Sequence, residues 1–149
     1  MSGSVKAAET KGMTANYLHV QAGRFHLLLD GEAVHDIIEH GAASRVESGT
    51  LLPWRGNMLP VVVFRDLSGD ASESFDGGVS LVYSPAGHRQ PLLLHVDLVV
   101  GVLEIEESAW LHPPPMRDVV ENLFDGVCVD VNRGIRLYRL RRGGFEVLA

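Results

Sequence analysis

The sequence predicts a mainly β chain, a compact barrel architecture of roughly eight to ten short strands with one or two short helices. Three observations carry that prediction. Apolar residues, 46% of the 149-residue chain, gather in short runs rich in Val, Leu, Ile and Tyr rather than in long amphipathic stripes. Gly, Pro, Asn and Asp separate those runs at short intervals. Helical spacing appears only over stretches of about two turns. A chain of this size buries roughly 68–70% of its unfolded surface, so a core can form without disulfides.

Met1 to Thr14 is small and polar without periodicity and reads as a disordered, solvated tail. Tyr17–Gln21 and Arg24–Leu29 are apolar runs separated by Ala22-Gly23, the pattern of a hairpin. With those two residues as the turn, Val20 faces Phe25 and Leu18 faces Leu27 on the core side, while His19 opposes His26 on the other. Ala33, Val34, Ile37 and Ile38 have helical spacing, with Gly41 just beyond, which predicts a short helix from Glu32 to Glu39. His40 to Thr50 reads as a connection. Leu59 to Phe64 is a dense β-branched strand, and Pro60 within it predicts an edge position or a bulge.

Ser68 to Gly78 is the clearest mid-chain loop. Val79–Tyr83, Pro91–Val96 and Val99–Ile105 are the next strands. A short helix is expected to begin near Glu106 and to stop at Pro113-Pro114-Pro115, with a further helical turn at Val119–Leu123. Gly126–Val131 and Ile135–Leu140 flank Asn132-Arg133-Gly134, a three-residue hairpin loop.

Charge and composition exclude several function classes. With 13 basic and 19 acidic residues the net charge is -6, which repels a nucleic-acid duplex. A single cysteine, Cys128, excludes an internal disulfide framework and a Cys-rich zinc site. No apolar run approaches the ~20 residues of a membrane span, and the N-terminus has no basic-then-apolar signal pattern. A soluble cytoplasmic domain without membrane insertion is expected.

Candidate chemistry is sparse. His19 and His26, side by side in the proposed hairpin, offer two imidazoles to a metal, with His40 as a candidate third ligand. The plainer reading is a pair of half-exposed histidines on a solvated sheet face. His95 and Asp97 lie two apart on a strand and are half of a triad, but no Gly-x-Ser-x-Gly elbow accompanies them. Cys128 sits in Val127-Cys128-Val129 and reads as a small core residue. There is no phosphate-cradling glycine motif. Arg133, Arg136, Arg139, Arg141 and Arg142 suit bidentate contacts to carboxylates, on a partner or within the chain. Trp54-Arg55-Gly56-Asn57 stands apart: an Arg-Gly turn feeding a strand places a guanidinium and an indole at a loop edge, the residue types of interface hot spots.

At that cluster the chain resembles the CheW family of bacterial chemotaxis coupling proteins. The family signature, approximately Asn-Leu-Arg-Gly-x-x-hydrophobic-Pro-Val-hydrophobic-Asp-Leu, corresponds to Pro53-Trp54-Arg55-Gly56-Asn57-Met58-Leu59-Pro60-Val61-Val62-Val63-Phe64. Tyr17–Leu29 followed by Val34 and Ile37-Ile38 is similar to the family's first hairpin and adjoining Val-x-x-Ile helix. Val96-Asp97-Leu98-Val99-Val100-Gly101-Val102 is similar to its Val-Asp-x-Val-x-Gly-Val strand, and Gly126-Val127 through Leu140 to its closing hairpin. The resemblance implies two small five-stranded SH3-like barrels within residues 15–149. The first covers about 15–78 and the second about 79–142, with strand exchange at the C-terminus.

It further implies a non-catalytic adaptor, without cofactor, bridging the cytoplasmic tip of a chemoreceptor and the regulatory domain of a CheA-type histidine kinase. Trp54, Arg55, Gly56 and Asn57 would lie at the receptor-facing groove. Gly56 and Gly101 would be backbone necessities. Pro53 and Trp54 replace the family's Asn and Leu, and Val63 replaces its Asp. Those departures motivate an alternative, a modulator that binds the kinase but not receptors. A small β-barrel metalloenzyme using His19 and His26 is the competing class.

Overall fold

The two ends of the chain build one sheet and its middle builds another. In this computed structural model, residues 13–41, 46–68, 77–85, 90–113 and 123–141 are described. Strands β1 (Thr14–Ala22), β2 (Phe25–Asp30), β8 (Leu98–Glu106), β9 (Phe124–Asp130) and β10 (Ile135–Leu140) form a five-stranded sheet in the order β8-β1-β2-β10-β9. Strands β3 (Val34–Glu39), β4 (Leu51–Trp54), β5 (Asn57–Val63), β6 (Val79–Tyr83) and β7 (Leu92–Val96) form the other, in the order β3-β6-β7-β5-β4. The sheets therefore do not divide at residue 78: β6 and β7 pair with β3 and β5, and the closing hairpin joins the opening one through a parallel β10–β2 contact. Each sheet mixes antiparallel pairs with one parallel pair.

One apolar cluster lies between the sheets. Leu18, Val20 and Leu27 from the first meet Leu81, Leu94 and Val96 from the second. Phe25 packs edge-on to Phe64 with ring centroids 6.1 Å apart. The opposite face of each sheet holds a cluster of its own: Tyr17, Leu28, Cys128 and Leu137 in the first, Leu59, Val61, Val82 and Leu93 in the second. Each sheet covers that second face by curling. In the first, Leu111 beyond β8 bridges to Val127 of β9 through backbone bonds of 2.8 and 3.0 Å. In the second, Trp54 on edge strand β4 bonds Asp36 on the opposite edge strand β3.

Several expectations change. The opening hairpin turns at Gly23-Arg24, with Ala22 opposite Phe25 and Val20 opposite Leu27. The register moves by two residues, so every side chain keeps its expected face. The segment expected as a helix is a 3₁₀ turn, Gly31–Ala33, followed by strand β3. Two helical turns are marginal without tertiary support. A strand gains a ladder with β6 instead, and a bulge between Val34 and Asp36 reconciles the apolar spacing with period two. Pro60 is not on an edge strand, since β5 has neighbours on both sides; it opposes Leu51, and the parallel ladder to β7 starts one residue later, at Val61. Its missing donor therefore breaks no bond of that ladder.

Phe64–Ser68 is a short helix, α1, not anticipated, which delivers Phe64 into the core. The helix expected near Glu106 is a 3₁₀ turn, Glu107–Ala109. Residues 1–12 of the expected tail and 119–122 of the expected helical turn lie outside the described residues.

Candidate functional site

The hairpin β4–β5 reverses in two residues. Arg55 and Gly56 have φ of 48° and 82°, both positive, and the flanking pair is Trp54 with Asn57. Positive φ at both central positions is the mark of the type I′ turn that matches strand twist. Gly56 adopts it freely. Arg55, a side-chain-bearing residue in the left-handed region, does so at a cost of about 1 kcal/mol. The sequence thus holds an arginine, rather than the more permissive Asn or Gly, at the apex.

Trp54 shapes what that apex displays. Its ring is half-buried against the cluster inside the second sheet, and its Nε1–H donates to Asp36 Oδ2 at 3.0 Å. Arg55 lays its guanidinium over the same ring, 4.7 Å from the centroid, a cation–π contact. Asp36 also accepts the Ile37 backbone N–H at 2.9 Å. The Trp54 bond, then the Ile37 N–H, hold its carboxyl below the usual carboxylate range. Leu51 pairs with Pro60 and Pro53 with Met58, and all four are exposed, so the hairpin's outer face is apolar.

Ile37 also lines a groove of about 580 Å³ between the sheets, with Leu18, Asp30, Val34 and Val102. Trp54, Arg55, Gly56 and Asn57 make up the hairpin turn and its flanking pair, apart from that groove. Asp36, Ile37 and Val102 were missed. Reading residues 32–39 as a helix hid the first two, because only as a strand does that segment bring Asp36 to the hairpin and Ile37 to the groove.

The other candidates resolve differently. His19 Nε2 and His26 Nδ1 lie 3.1 Å apart, diagonal neighbours on one face, but that face is the inside of the first sheet and His19 is only 1% exposed. Burial first, then His26, lower the His19 pKa. His40 does not join them: it sits in the second sheet's interior, where Ser80 Oγ bridges its Nε2 (2.8 Å) and His95 Nδ1 (3.1 Å). Among the described residues no group of three or more His, Cys, Asp or Glu is placed to hold a metal ion.

Asp97 spends its carboxylate on Arg65 and Gly23 rather than on His95. Cys128 is buried, and burial pushes its thiol pKa up, away from nucleophilic character. Arg139 turns inward to Asp125 at 2.7 Å and stacks 4.5 Å over Trp110, while Arg133 pairs loosely with Asp130 at 3.8 Å. Gly101 is not a backbone necessity, since a Cβ there meets nothing within 4 Å.

No protein-family model and no curated protein sequence matches the chain. Its fold does match a solved structure. The scaffolding protein TtCheW from Thermoanaerobacter tengcongensis superposes with a TM-score of 0.70 at 18% identity, covering 87% of this chain and 90% of that one. The two chains share a fold, mainly β and built as two subdomains.

Proposed function

We propose that this CheW-like fold serves as a non-catalytic signal-transduction adaptor coupling chemoreceptors to a CheA-type histidine kinase. The observation that carries the reading is the β4–β5 apex: an arginine fixed at positive φ, stacked on Trp54 and turned to solvent. An exposed arginine stacked on a tryptophan joins two residue types enriched in binding hot spots. In this reading Trp54, Arg55, Gly56 and Asn57 form the partner-binding tip, and the protein acts in the cytoplasm. Among the described residues no helix is long and apolar enough to cross a membrane.

Calorimetry with the host's kinase regulatory domain and a receptor-tip fragment tests it. Both partners should bind, and Arg55→Glu should weaken receptor binding at least about tenfold while leaving kinase binding unchanged. Silence from both partners sinks the reading. A specific observation favours the modulator alternative: Trp54, at the position of the family's Leu, occupies the Asp36 carboxylate, leaving less of it for a second partner. Kinase binding without receptor binding would select that alternative.

A further inference from the structure

We propose that each sheet carries an internal proton sensor, the His19–His26 pair in the first and the His40–Ser80–His95 chain in the second, and that together they make the fold acid-labile. Both clusters occupy the inner face of a curled sheet. His19 follows Tyr17 on the face holding Leu28 and Leu137, and His95 shares a face with Leu93 and Val82. His19 and His95 are 1% and 4% exposed, so neither imidazole can be solvated if it takes a charge.

The surroundings compensate poorly. His19 faces His26 on β2, Asp130 at the end of β9 and Arg133 in the following turn, while β8 presents only Gly101. Asp130 favours a charge there, but His26 and Arg133 oppose it. The first sheet's other inward cation, Arg139, is engaged by Asp125, Tyr17 and Glu107. His95 faces His40 across Ser80, with Asp97 and the Gly77 backbone favouring a charge, and its Nε2 has no hydrogen-bond partner of ordinary geometry.

The Ser80 hydroxyl limits the second cluster further. It has one proton, so it can donate to one imidazole nitrogen while accepting from the other. A first proton can be accommodated by choice of tautomer. A second makes both rings donors and strands the hydroxyl's own hydrogen.

The sign follows from linkage. Burial, with His26 and His40 adding repulsion, lowers the folded pKa of His19 and His95, while the unfolded chain keeps about 6.5. Below that value the unfolded state binds protons the folded state refuses, so stability is full above about pH 6.5 and falls as pH drops. Each imidazole held neutral contributes about a tenfold loss in the folded-to-unfolded ratio per pH unit, hence up to about a hundredfold for the two.

The test is urea denaturation of the full chain across about pH 7.5 to 5.5, above the range where carboxylates dominate, for the natural protein, His19→Gln with His95→Gln, and the exposed His35→Gln. The natural protein and His35→Gln should show the steep loss, and the double variant should flatten it. If the double variant fails to fold, NMR titration of the histidine ring protons in the natural protein decides. Resistance of His19 and His95 to protonation near pH 6 supports the proposal. An unchanged slope in a folded double variant, or ordinary titration of both rings, overturns it.

Discussion

Asp97 sits between β7 and β8, where the chain crosses from one sheet to the other, and its replacement by alanine tests how the sheets are held together. Its carboxylate accepts from Arg65 Nε at 3.1 Å, Arg65 Nη2 at 2.8 Å and the Gly23 backbone N–H at 2.9 Å. Its own N–H donates to Gln21 O at 2.9 Å. One side chain thus ties helix α1 of the second sheet's segment to the first sheet's opening turn. The Arg65 and Asp97 side chains are 14% and 11% exposed, so water can replace the lost bonds only in part.

Removing one partner of a buried pair costs about 3–5 kcal/mol, whereas an exposed pair contributes about 0–1. With this residual exposure Asp97→Ala should cost about 3 kcal/mol, a large share of a typical 5–15. For a chain of this size that is a Tm loss of roughly 6–12 °C. Asp97→Asn, which keeps the shape and one acceptor, should fall between. Urea unfolding followed by the fluorescence of Trp54 and Trp110 reads both. A loss under about 1 kcal/mol for Asp97→Ala would refute the argument, placing the bridge among surface contacts that hold nothing.

Other substitutions probe neighbouring features. Arg139→Met removes bonds to Asp125 and Tyr17 and the stack on Trp110, and should cost about 2 kcal/mol by urea unfolding. Arg133→Met, at an exposed 3.8 Å contact, should stay within about 0.5 kcal/mol. Gly78→Ala puts a Cβ 2.7 Å from Val96 O and 2.8 Å from His95 Nε2 at φ 84° and should cost more than about 2 kcal/mol, whereas Gly101→Ala, with open space around it, should lose less than about 1; thermal melts separate them. Trp54→Phe deletes the donor that most favours ionised Asp36, so the Asp36 carboxyl should titrate at higher pH, visible in a carboxyl-detected NMR titration.

Much of the strand order was legible because local chemistry decided it. Gly23 and Gly134 mark tight turns, the valines of β5 favour a strand, and Asn132-Arg133-Gly134 falls where the closing hairpin turns. The Arg55-Gly56 apex was legible for the same reason, being a two-residue turn written into the sequence. Residues 32–39 were not, because Ala33, Val34, Ile37 and Ile38 satisfy helical spacing, and the bulge that lets them alternate is fixed by β6, which is remote in sequence. Asp36 was lost with them. Its role depends on a sheet edge meeting the opposite edge, which no local pattern records.

The histidines show the deeper limit. Alternation along β1, β2, β6 and β7 assigns His19, His26, Ser80 and His95 to the face opposite the shared core, and an ordinary one-sided antiparallel sheet leaves that face wet. Periodicity reports that there are two faces; it does not report that both are covered. Here each sheet packs one face on its neighbour and curls the other around Tyr17 and Leu28 or around Leu59 and Val82. Curling is set by edge contacts, Leu111 with Val127 and Trp54 with Asp36, between segments up to 18 residues apart in the sequence. Polar residues that read as solvent-facing therefore become interior groups, and the same closure that conceals them from sequence reasoning makes their protonation costly. The hairpin that closes the second sheet is also the one that displays Arg55, so the closure and the candidate docking tip share Trp54.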